Sequence, residues 1–293
     1  MSAQSGLVIV DKPGGWTSHD VVARVRRLAG TRRVGHAGTL DPMATGVLVV
    51  GVERATRVLG HLALAEKAYD ATIRLGRSTT TDDAEGEETE SAPAGEITDT
   101  ALLSALSSFK GRIQQIPPQV SAIKVGGKRS YRRVRSGENV ELQPRQVTVY
   151  SLAARDVHRD GDLLDVDVSL VCSTGTYVRS LARDLGAALG VGGHLTRLRR
   201  TRVGPYDLEG ARTLERLAEA FEIMPLGEAV LAAFPSRVVS VEEAREVRHG
   251  ARLPAAGIGP GPVGVFGPDG ELLALVEESD DVARPLAVFA VPG

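Results

Sequence analysis

Apolar positions in the first fifty residues alternate between continuous runs and helical spacing. Leu7–Val10 is a continuous apolar run that predicts a buried strand, and the Pro-Gly-Gly sequence shortly after it predicts a turn. Ser18 is placed to cap a helix whose apolar residues recur every three or four positions until Gly30. The valine-rich segment Val47–Val52 predicts a second buried strand. This part of the chain is therefore expected to fold as strand, helix and strand.

The middle of the chain shows the alternation that is typical of strands. Lys67–Leu75 alternates and predicts a strand, whereas the acidic segment 76–96 is expected to be a solvated loop. Gln146–Arg155 and Leu163–Val171 alternate like the two strands of a hairpin. Thr176 is placed to cap the helix that follows them.

The pattern changes near the C-terminus. Residues 225–235 are expected to be the exit from a larger domain, and Glu242–His249 is expected to be helical. Short strands are predicted at Val263–Phe266, Leu272–Val276 and Ala287–Val291. We therefore predict two domains, residues 1–232 and a small β-rich domain at 237–293.

These elements together predict a mixed α/β (α+β) fold. Turns, more often than regular crossover helices, separate the predicted strands. A largely antiparallel sheet flanked by helices is therefore favoured over a doubly wound parallel sheet.

Composition places the chain among ordinary globular proteins, with 42% hydrophobic and 25% charged residues. It has no apolar run long enough to span a bilayer and no signal-peptide pattern. Its single cysteine, Cys172, excludes an intrachain disulfide and a cysteine-cluster metal site, and is expected to be a small core residue. The cytoplasm is the expected compartment.

Charge is segregated along the chain although the net charge is only −2. Acidic residues concentrate in 82–90 and 277–281. Basic residues concentrate in Arg24–Arg33, Lys124–Arg135 and His194–Arg202. Each basic run alone is typical of a solvated helix face, but three such runs together favour a basic surface that binds nucleic acid.

The segment Gly35–Gly46 (GHAGTLDPMATG) is the strongest candidate for chemistry. It places one carboxylate, Asp41, among small residues, with no cysteine or serine nucleophile beside it. Glycines allow sharp bends and close approach of a ligand, and Pro42 restricts the backbone directly after the acid. Asp41 is thus expected on a tight loop that leads into a core strand, either as a catalytic group or as a residue that caps a turn.

Three further residues carry candidate chemistry. Arg179 lies in the first turn of a predicted helix, where a cation opposes the helix dipole, so it is either paired with a carboxylate or phosphate or is a surface arginine. Tyr69, in a chain with only 4% aromatic residues, either packs on its strand or stacks on a base. His36 has no partner at metal-ligand spacing, and its glycine-rich segment lacks the lysine of a phosphate-binding P-loop.

Six segments in one order resemble the TruB family of tRNA pseudouridine synthases over residues 6–210. They are LVIVDKPGGWTSHDVV, GHAGTLDPMATGVLVVGVERATR, KAYDATIRLG, TTTDDAEGE, IPPQVSAIKVGGKRSYRRVRSGE and TGTYVRSLARDLG. The tail resembles the small PUA-like RNA-binding domain that such enzymes append.

The resemblance implies an isomerase that converts the uridine at position 55, in the T loop of tRNA, to pseudouridine. It implies no cofactor and no metal, and a monomer that binds the T stem-loop without a membrane or an obligate protein partner. It implies that Asp41 is catalytic, that Arg179 pairs with it, that Tyr69 stacks on the target base and that His36 fills the space of the flipped nucleotide. The remaining residues assigned to substrate binding are Leu198, Lys12, Tyr177, Lys124 and Arg132, with residues 124–145 as an insertion that grips the T arm.

The residue types suit that reaction. A glycosidic carbon needs a nucleophile or base that is ionised at neutral pH, and aspartate, with an ordinary pKa of about 3.9, qualifies. Whether Asp41 attacks the sugar, attacks the base or abstracts a proton stays open. Two other classes compete with this interpretation: an RNA-binding or RNA-chaperone protein, which would not need Asp41, and an aspartyl-phosphate phosphotransferase, which would need an acid where this chain has Met43.

Overall fold

The computed structural model describes residues 4–119, 124–125, 128–129 and 142–290. Its helices are α1 (Ser18–Ala29), α2 (Leu59–Leu62), α3 (Asp99–Ser108), α4 (Val178–Ala188), α5 (Leu214–Glu219), α6 (Leu226–Ala233) and α7 (Val241–Arg248), with a 3₁₀ helix at Glu53–Arg57. Its strands are β1 (Gly6–Lys12), β2 (Val34–Ala37), β3 (Thr45–Val52), β4 (Lys67–Leu75), β5 (Arg77–Thr79), β6 (Glu88–Ser91), β7 (Gly111–Gln115), β8 (Lys124–Val125), β9 (Lys128–Arg129), β10 (Arg145–Asp160), β11 (Leu163–Cys172), β12 (Gly193–Val203), β13 (Tyr206–Asp207), β14 (Met224–Pro225), β15 (Ser236–Val238), β16 (Leu253–Pro254), β17 (Pro262–Phe266), β18 (Leu272–Ser279) and β19 (Val282–Val288). Within these residues, no helix is long and apolar enough to cross a membrane.

The chain divides into two compact units. The first unit contains the chain up to Pro42, residues 46–64 and the chain from Val203 onwards. The second contains residues 43–45 and 65–202. The C-terminal strands therefore belong to the same compact unit as the N-terminal strands.

The N-terminal strands of the first unit form an antiparallel sheet. β1 lies between β14 and β3, and β2 pairs with the other edge of β3, in each case antiparallel. β1 and β3 are buried on both faces, which explains why their sequences are continuous apolar runs and do not alternate. The prediction of buried strands at both positions is confirmed.

A second sheet of the first unit lies at the C-terminus, with strand order β15-β17-β18-β19-β16. Its pairs are antiparallel except for β15 and β17. The predicted last strand, Ala287–Val291, was wrong in its bounds: β19 spans Val282–Val288 and follows β18 through a turn in which Asp280 has a φ of 54°, and residue 291 lies outside the described residues. The sequence masks this strand because Arg284 and Pro285 interrupt its apolar pattern.

The segment at 225–235, expected to be a domain exit, forms helix α6. Its Leu226 and Val230 are buried in one core with Phe266 and Leu272 of the C-terminal sheet. The segment is therefore part of the packed interior of the first unit.

The second unit is built on long antiparallel strands. β4 and β11 pair in continuous register from Lys67 with Cys172 to Leu75 with Leu164, β11 pairs with β10, and β10 pairs with β7. Strand β12 lies beside β4 in the sheet. The prediction of a mixed fold with a largely antiparallel sheet is confirmed. The predicted solvated loop at 76–96 was wrong in part, because β5 and β6 pair within it.

Two predicted helix caps were also wrong. Thr17, not Ser18, caps α1, because Asp20 three residues later completes a reciprocal capping box with Thr17. At α4 the capping position is Tyr177, which makes no side-chain capping bond, whereas the Thr176 hydroxyl donates to the carbonyl oxygen of Ser173 at 3.0 Å.

Candidate active site

Asp41 lies on the loop between β2 and β3 and is half-buried. Gly38 and Gly46 have φ values of 90° and 98°, in the left-handed region that other residues avoid. The backbone therefore bends at Gly38 within the loop and again at Gly46, the second residue of β3, and β3 is buried from Gly46 onwards. This confirms the prediction of a tight loop that leads into the core.

Neighbouring elements hold the backbone on both sides of Asp41. The Ser18 hydroxyl accepts a hydrogen bond from the Leu40 amide at 2.9 Å and donates to the Leu40 carbonyl oxygen at 3.1 Å. The Pro42 carbonyl oxygen accepts from the Gly15 amide at 2.8 Å. The predicted cap residue Ser18 is thus used to fix the residue before Asp41, since Thr17 already caps the helix.

Lys12 is fully buried, with 0% of its surface exposed. Its ammonium donates to the carbonyl oxygens of Pro13 at 2.9 Å, Trp16 at 2.6 Å and Pro42 at 3.1 Å. Three backbone acceptors thus lie around the charge, and the prediction that Lys12 contacts the substrate stays a prediction. Its place in the fold is that of a residue that positions the Asp41 loop.

His36 lies on β2, ahead of the same loop, and is half-buried. Its ring packs edge-on against His19 of α1, with centroids 5.8 Å apart and an interplanar angle of 78°. The first unit thus carries Lys12 on β1 and His36 on β2, and both strands pair with β3, the strand that follows the Asp41 loop.

Arg179 lies in the first turn of α4 and is only 5% exposed. Its Nη1 donates to the carbonyl oxygen of Thr81 at 2.8 Å and lies 3.4 Å from Oδ2 of Asp83. Asp83 is itself 3% exposed. A buried guanidinium is tolerated only when it is paired and hydrogen-bonded, and Asp83 supplies that pairing. The alternative that Arg179 is a surface arginine is wrong.

The sequence analysis missed Asp83 because it assigned residues 76–96 to a solvated loop. The Asp83 carboxylate also accepts from the Glu85 amide at 3.1 Å, a local bond that holds the turn. The available signal was an aspartate pair in a threonine-rich segment ahead of a glycine, a composition typical of ordered turns as well as of solvated loops.

Asp82 forms a second ion pair in the same turn. Its Oδ2 lies 3.0 Å from Nη1 of Arg183, one helical turn after Arg179. Burial raises the pKa of Asp82, and the positive charges of Arg183 and Arg179 act in the opposite direction. Asp82 has a φ of 60°, a conformation that aspartate tolerates better than most residues.

Tyr69 and Leu198 are buried on β4 and β12. Lys67 shares the buried face of β4 with Tyr69, and its ammonium donates to the Ala65 carbonyl oxygen at 2.7 Å. Burial, with the charge of Arg200 acting in the same direction, lowers the pKa of Lys67 to about 8. The two predicted residues therefore lie on neighbouring strands, beside two buried cations.

Tyr177 is held through its backbone. The Gln115 side chain accepts from the Tyr177 amide at 2.8 Å and donates to its carbonyl oxygen at 3.0 Å. Of the other predicted contacts, Arg132 lies outside the described residues, and Lys124 is described only as part of β8, which pairs with β9.

The basic run His194–Arg202 differs from the expected basic surface. It forms most of β12, and His194 and Arg200 are buried within it. Arg202 pairs with Glu66 at 2.6 Å. Because buried and paired cations attract a polyanion weakly, this run contributes less to a basic surface than its composition suggests.

Across the described part of the chain, no group of three or more His, Cys, Asp or Glu side chains is placed to hold a metal ion.

Comparison with known proteins gives matches along most of the chain. Residues 26–178 match the model of the TruB family pseudouridylate synthase N-terminal domain. Residues 179–233 match the tRNA pseudouridylate synthase B C-terminal domain, and residues 234–290 match the C-terminal domain of tRNA pseudouridine synthase II.

Relatives match over almost their entire length. A protein of Thermobifida fusca named tRNA pseudouridine synthase B is 63% identical over 289 residues, which cover 97% of this chain and 98% of the relative. A protein of the same name from Streptomyces griseus is 59% identical over 290 residues, 97% of each chain.

Solved structures agree with these matches. A chain of a Cbf5-Nop10-Gar1 complex superposes with a TM-score of 0.77 at 30% identity, covering 99% of this chain and 86% of the other. A chain of an H/ACA ribonucleoprotein bound to a substrate RNA superposes with a TM-score of 0.75 at 28% identity, over 99% of this chain and 86% of the other. On these matches and on the loop that holds Asp41, the chain belongs to the TruB family of pseudouridine synthases.

Proposed function

We propose that this protein isomerises uridine to pseudouridine in tRNA, at position 55 in the T loop. In this reaction the bond between C1′ and N1 breaks, the base rotates and a bond between C1′ and C5 forms. C5 loses its proton and N1 gains one, so that no atom is added or removed. The reaction needs no oxidant, reductant or group donor, and we propose that the protein uses no cofactor.

Asp41 is the proposed catalytic residue, and the fixed backbone on both sides of it carries the proposal. Two hydrogen bonds with the Ser18 hydroxyl hold Leu40, and hydrogen bonds donated by Lys12 and Gly15 hold Pro42. A group that reacts with one atom of a bound substrate accelerates the reaction most when its position is fixed before the substrate binds.

Arg179 is the proposed partner of the catalytic carboxylate, as the family resemblance implies. Its guanidinium is already ordered by Asp83 and by the Thr81 carbonyl, so it loses little freedom when it orients another anion. Asp83 is proposed as a positioning residue that acts through Arg179.

Tyr69 is proposed to stack on the target base and His36 to occupy the space that the flipped nucleotide leaves. Extruding a base from its stack costs a few kcal/mol, and stacking on an aromatic ring returns about 1–3 kcal/mol per base. Leu198 supplies an apolar contact near the base and Tyr177 a further substrate contact. Lys124 and Arg132, with the rest of residues 124–145, are proposed to grip the T arm, and the C-terminal domain at 237–293 to bind RNA.

The setting proposed for this activity is the cytoplasm, with the protein acting as a monomer.

The experiment that tests the function is pseudouridine mapping on unmodified tRNA. The purified protein is incubated with a tRNA transcript, and pseudouridine is located by carbodiimide modification and reverse transcription. One pseudouridine at position 55 is expected, and none in a transcript with cytidine at that position. Binding without modification would instead indicate an RNA-binding protein, and modification at another position would overturn the proposed site.

A further inference from the structure

Trp16 is the single tryptophan of the chain and is 37% exposed. It precedes α1 and lines an open depression of about 320 Å³ together with Gly15, Asp20, Ala23 and Arg27. Tryptophan is mostly buried in folded proteins, and an aromatic ring at the edge of a depression offers a face to a ligand.

The backbone around Trp16 is fixed. Gly15 has a φ of 78°, and its amide donates to the Pro42 carbonyl oxygen at 2.8 Å. The Trp16 carbonyl oxygen accepts from Lys12 Nζ at 2.6 Å, and Thr17 begins the capping box of α1. The indole therefore projects from an ordered turn, which lowers the entropic cost of using it as a contact.

The same contacts join Trp16 to the catalytic loop. A single ammonium, that of Lys12, bonds both the Trp16 carbonyl oxygen and that of Pro42, the residue after Asp41. A nucleotide that reaches Asp41 thus brings its neighbours to the turn that carries Trp16.

The charges around the depression favour an anion. Arg27 lines it and is exposed. The one acid in the lining, Asp20, accepts hydrogen bonds from the Thr17 amide at 3.0 Å and from the Thr17 hydroxyl at 2.6 Å. Its carboxylate therefore interacts with the N-terminus of α1. An aromatic face beside an exposed arginine is a combination that can bind a base and its phosphate.

We propose that Trp16 stacks on an unpaired base of the tRNA substrate, next to the uridine that reacts, and that Arg27 contacts a phosphate of the same strand. The inference rests on the proposed function, because it takes tRNA as the occupant. RNA is the occupant that fits this position, because the Lys12 ammonium holds both the turn of Trp16 and the residue after Asp41, so a substrate bound at Asp41 lies close to the depression.

The wild-type protein reports directly on the proposal, since its tryptophan fluorescence comes from Trp16 alone. Titration with an unmodified T-arm transcript is expected to quench this emission and to shield it from acrylamide. The same preparation is assayed for pseudouridine. Quenching in step with binding supports the stacking contact, whereas unchanged emission at saturating RNA, in a preparation that forms pseudouridine, overturns it.

Two variants separate stacking from mere apolar contact. Trp16→Phe keeps an aromatic face and should leave KM within about three-fold of wild type, whereas Trp16→Leu should raise KM roughly ten-fold with little change in kcat. Arg27→Gln should raise KM and lessen its dependence on salt. Leu103→Ala, at an exposed apolar residue of α3, is the control and should change neither KM nor the dependence of KM on salt.

The outcomes separate failure of the inference from failure of the function. A Trp16→Leu variant with unchanged melting temperature and wild-type KM contradicts the stacking proposal alone. A wild-type protein that forms no pseudouridine contradicts the function on which the proposal rests.

Discussion

The buried ammonium of Lys12 donates a 3.1 Å hydrogen bond to the carbonyl oxygen of Pro42, the residue that follows Asp41. The bond joins the end of β1 to the loop that carries Asp41, across thirty positions of sequence. Lys12 has no exposed surface, and its other bonds go to the turn at Pro13 and Trp16. The position of the carboxylate therefore depends on a lysine that does not itself reach the solvent.

Replacing this lysine should impair turnover more than RNA binding. Lys12→Met removes the charge but keeps a side chain of similar length, so three carbonyl oxygens lose a charged donor. We expect a loss of about 2 kcal/mol in the free energy of unfolding, because buried hydrogen bonds to charged groups contribute about 1.5–3 kcal/mol. We also expect kcat to fall at least ten-fold, since the loop that carries Asp41 loses one of its anchors.

Lys110→Met is the matched control, because Lys110 is an exposed lysine after α3. Urea unfolding and single-turnover assays on a tRNA transcript measure both effects. If Lys12→Met lowered tRNA affinity and left turnover of the bound RNA unchanged, Lys12 would be a substrate contact, as predicted from the sequence.

Asp83 should matter to both stability and turnover. Asp83→Asn leaves Arg179 buried without its carboxylate, and breaking a buried ion pair by removing one partner typically costs about 3–5 kcal/mol. Because the proposed role of Arg179 is to orient the catalytic carboxylate, turnover should fall while tRNA affinity stays within several-fold. Stability is measured by urea unfolding and affinity by filter binding.

Glu88→Gln provides the comparison in the same segment. Glu88 pairs with Arg77 at the surface, where such a pair contributes about 1 kcal/mol or less. Equal effects of the two substitutions on stability and turnover would show that the buried pair has no special role.

Lys67 should give the protein a distinct dependence of stability on pH. Burial lowers the pKa of this side chain from its ordinary value of 10.5 to about 8 in the folded protein. Between these values the unfolded chain binds more protons than the folded chain, so the contribution of Lys67 to the free energy of unfolding rises with pH. The free energy of unfolding of the wild type minus that of Lys67→Met should therefore increase from pH 7.5 to pH 9.5.

Both proteins should carry Cys172→Ala for this comparison. Burial raises the pKa of the Cys172 thiol to about 11, so its titration favours unfolding as the pH rises and would oppose the effect of Lys67. Urea unfolding at several pH values supplies the measurement. A difference that stayed constant or decreased would show that the Lys67 ammonium is not destabilised by burial.

The sequence predicted the elements whose pattern is local. β1 and β3 are continuous apolar runs because both of their faces are buried, and β4 alternates along its whole length. Gly38 and Gly46 indicated the sharp turns around Asp41, and both have positive φ values. Periodicity and glycine placement report directly on backbone geometry, which is why these predictions hold.

The contacts made across the fold could not be predicted in this way. Lys12 and Pro42 are distant in sequence, and nothing near Lys12 shows that its charge points inward. Asp83 lies in an acidic, threonine-rich segment whose composition suits a solvated loop, and its burial depends on the distant Arg179 as well as on hydrogen bonds within its own turn. Ser18 was assigned to the wrong role because Thr17 and Ser18 are both good caps, and the choice depends on Asp20.

The most direct test of the account is the activity of Asp41→Asn on a tRNA transcript. The substitution keeps the size of the side chain and removes its charge, so the loop and its anchors to Lys12 and Ser18 should persist. The account predicts that pseudouridine at position 55 is abolished while tRNA affinity stays within several-fold of wild type. Turnover close to the wild-type rate would contradict the assignment of Asp41 as the catalytic residue.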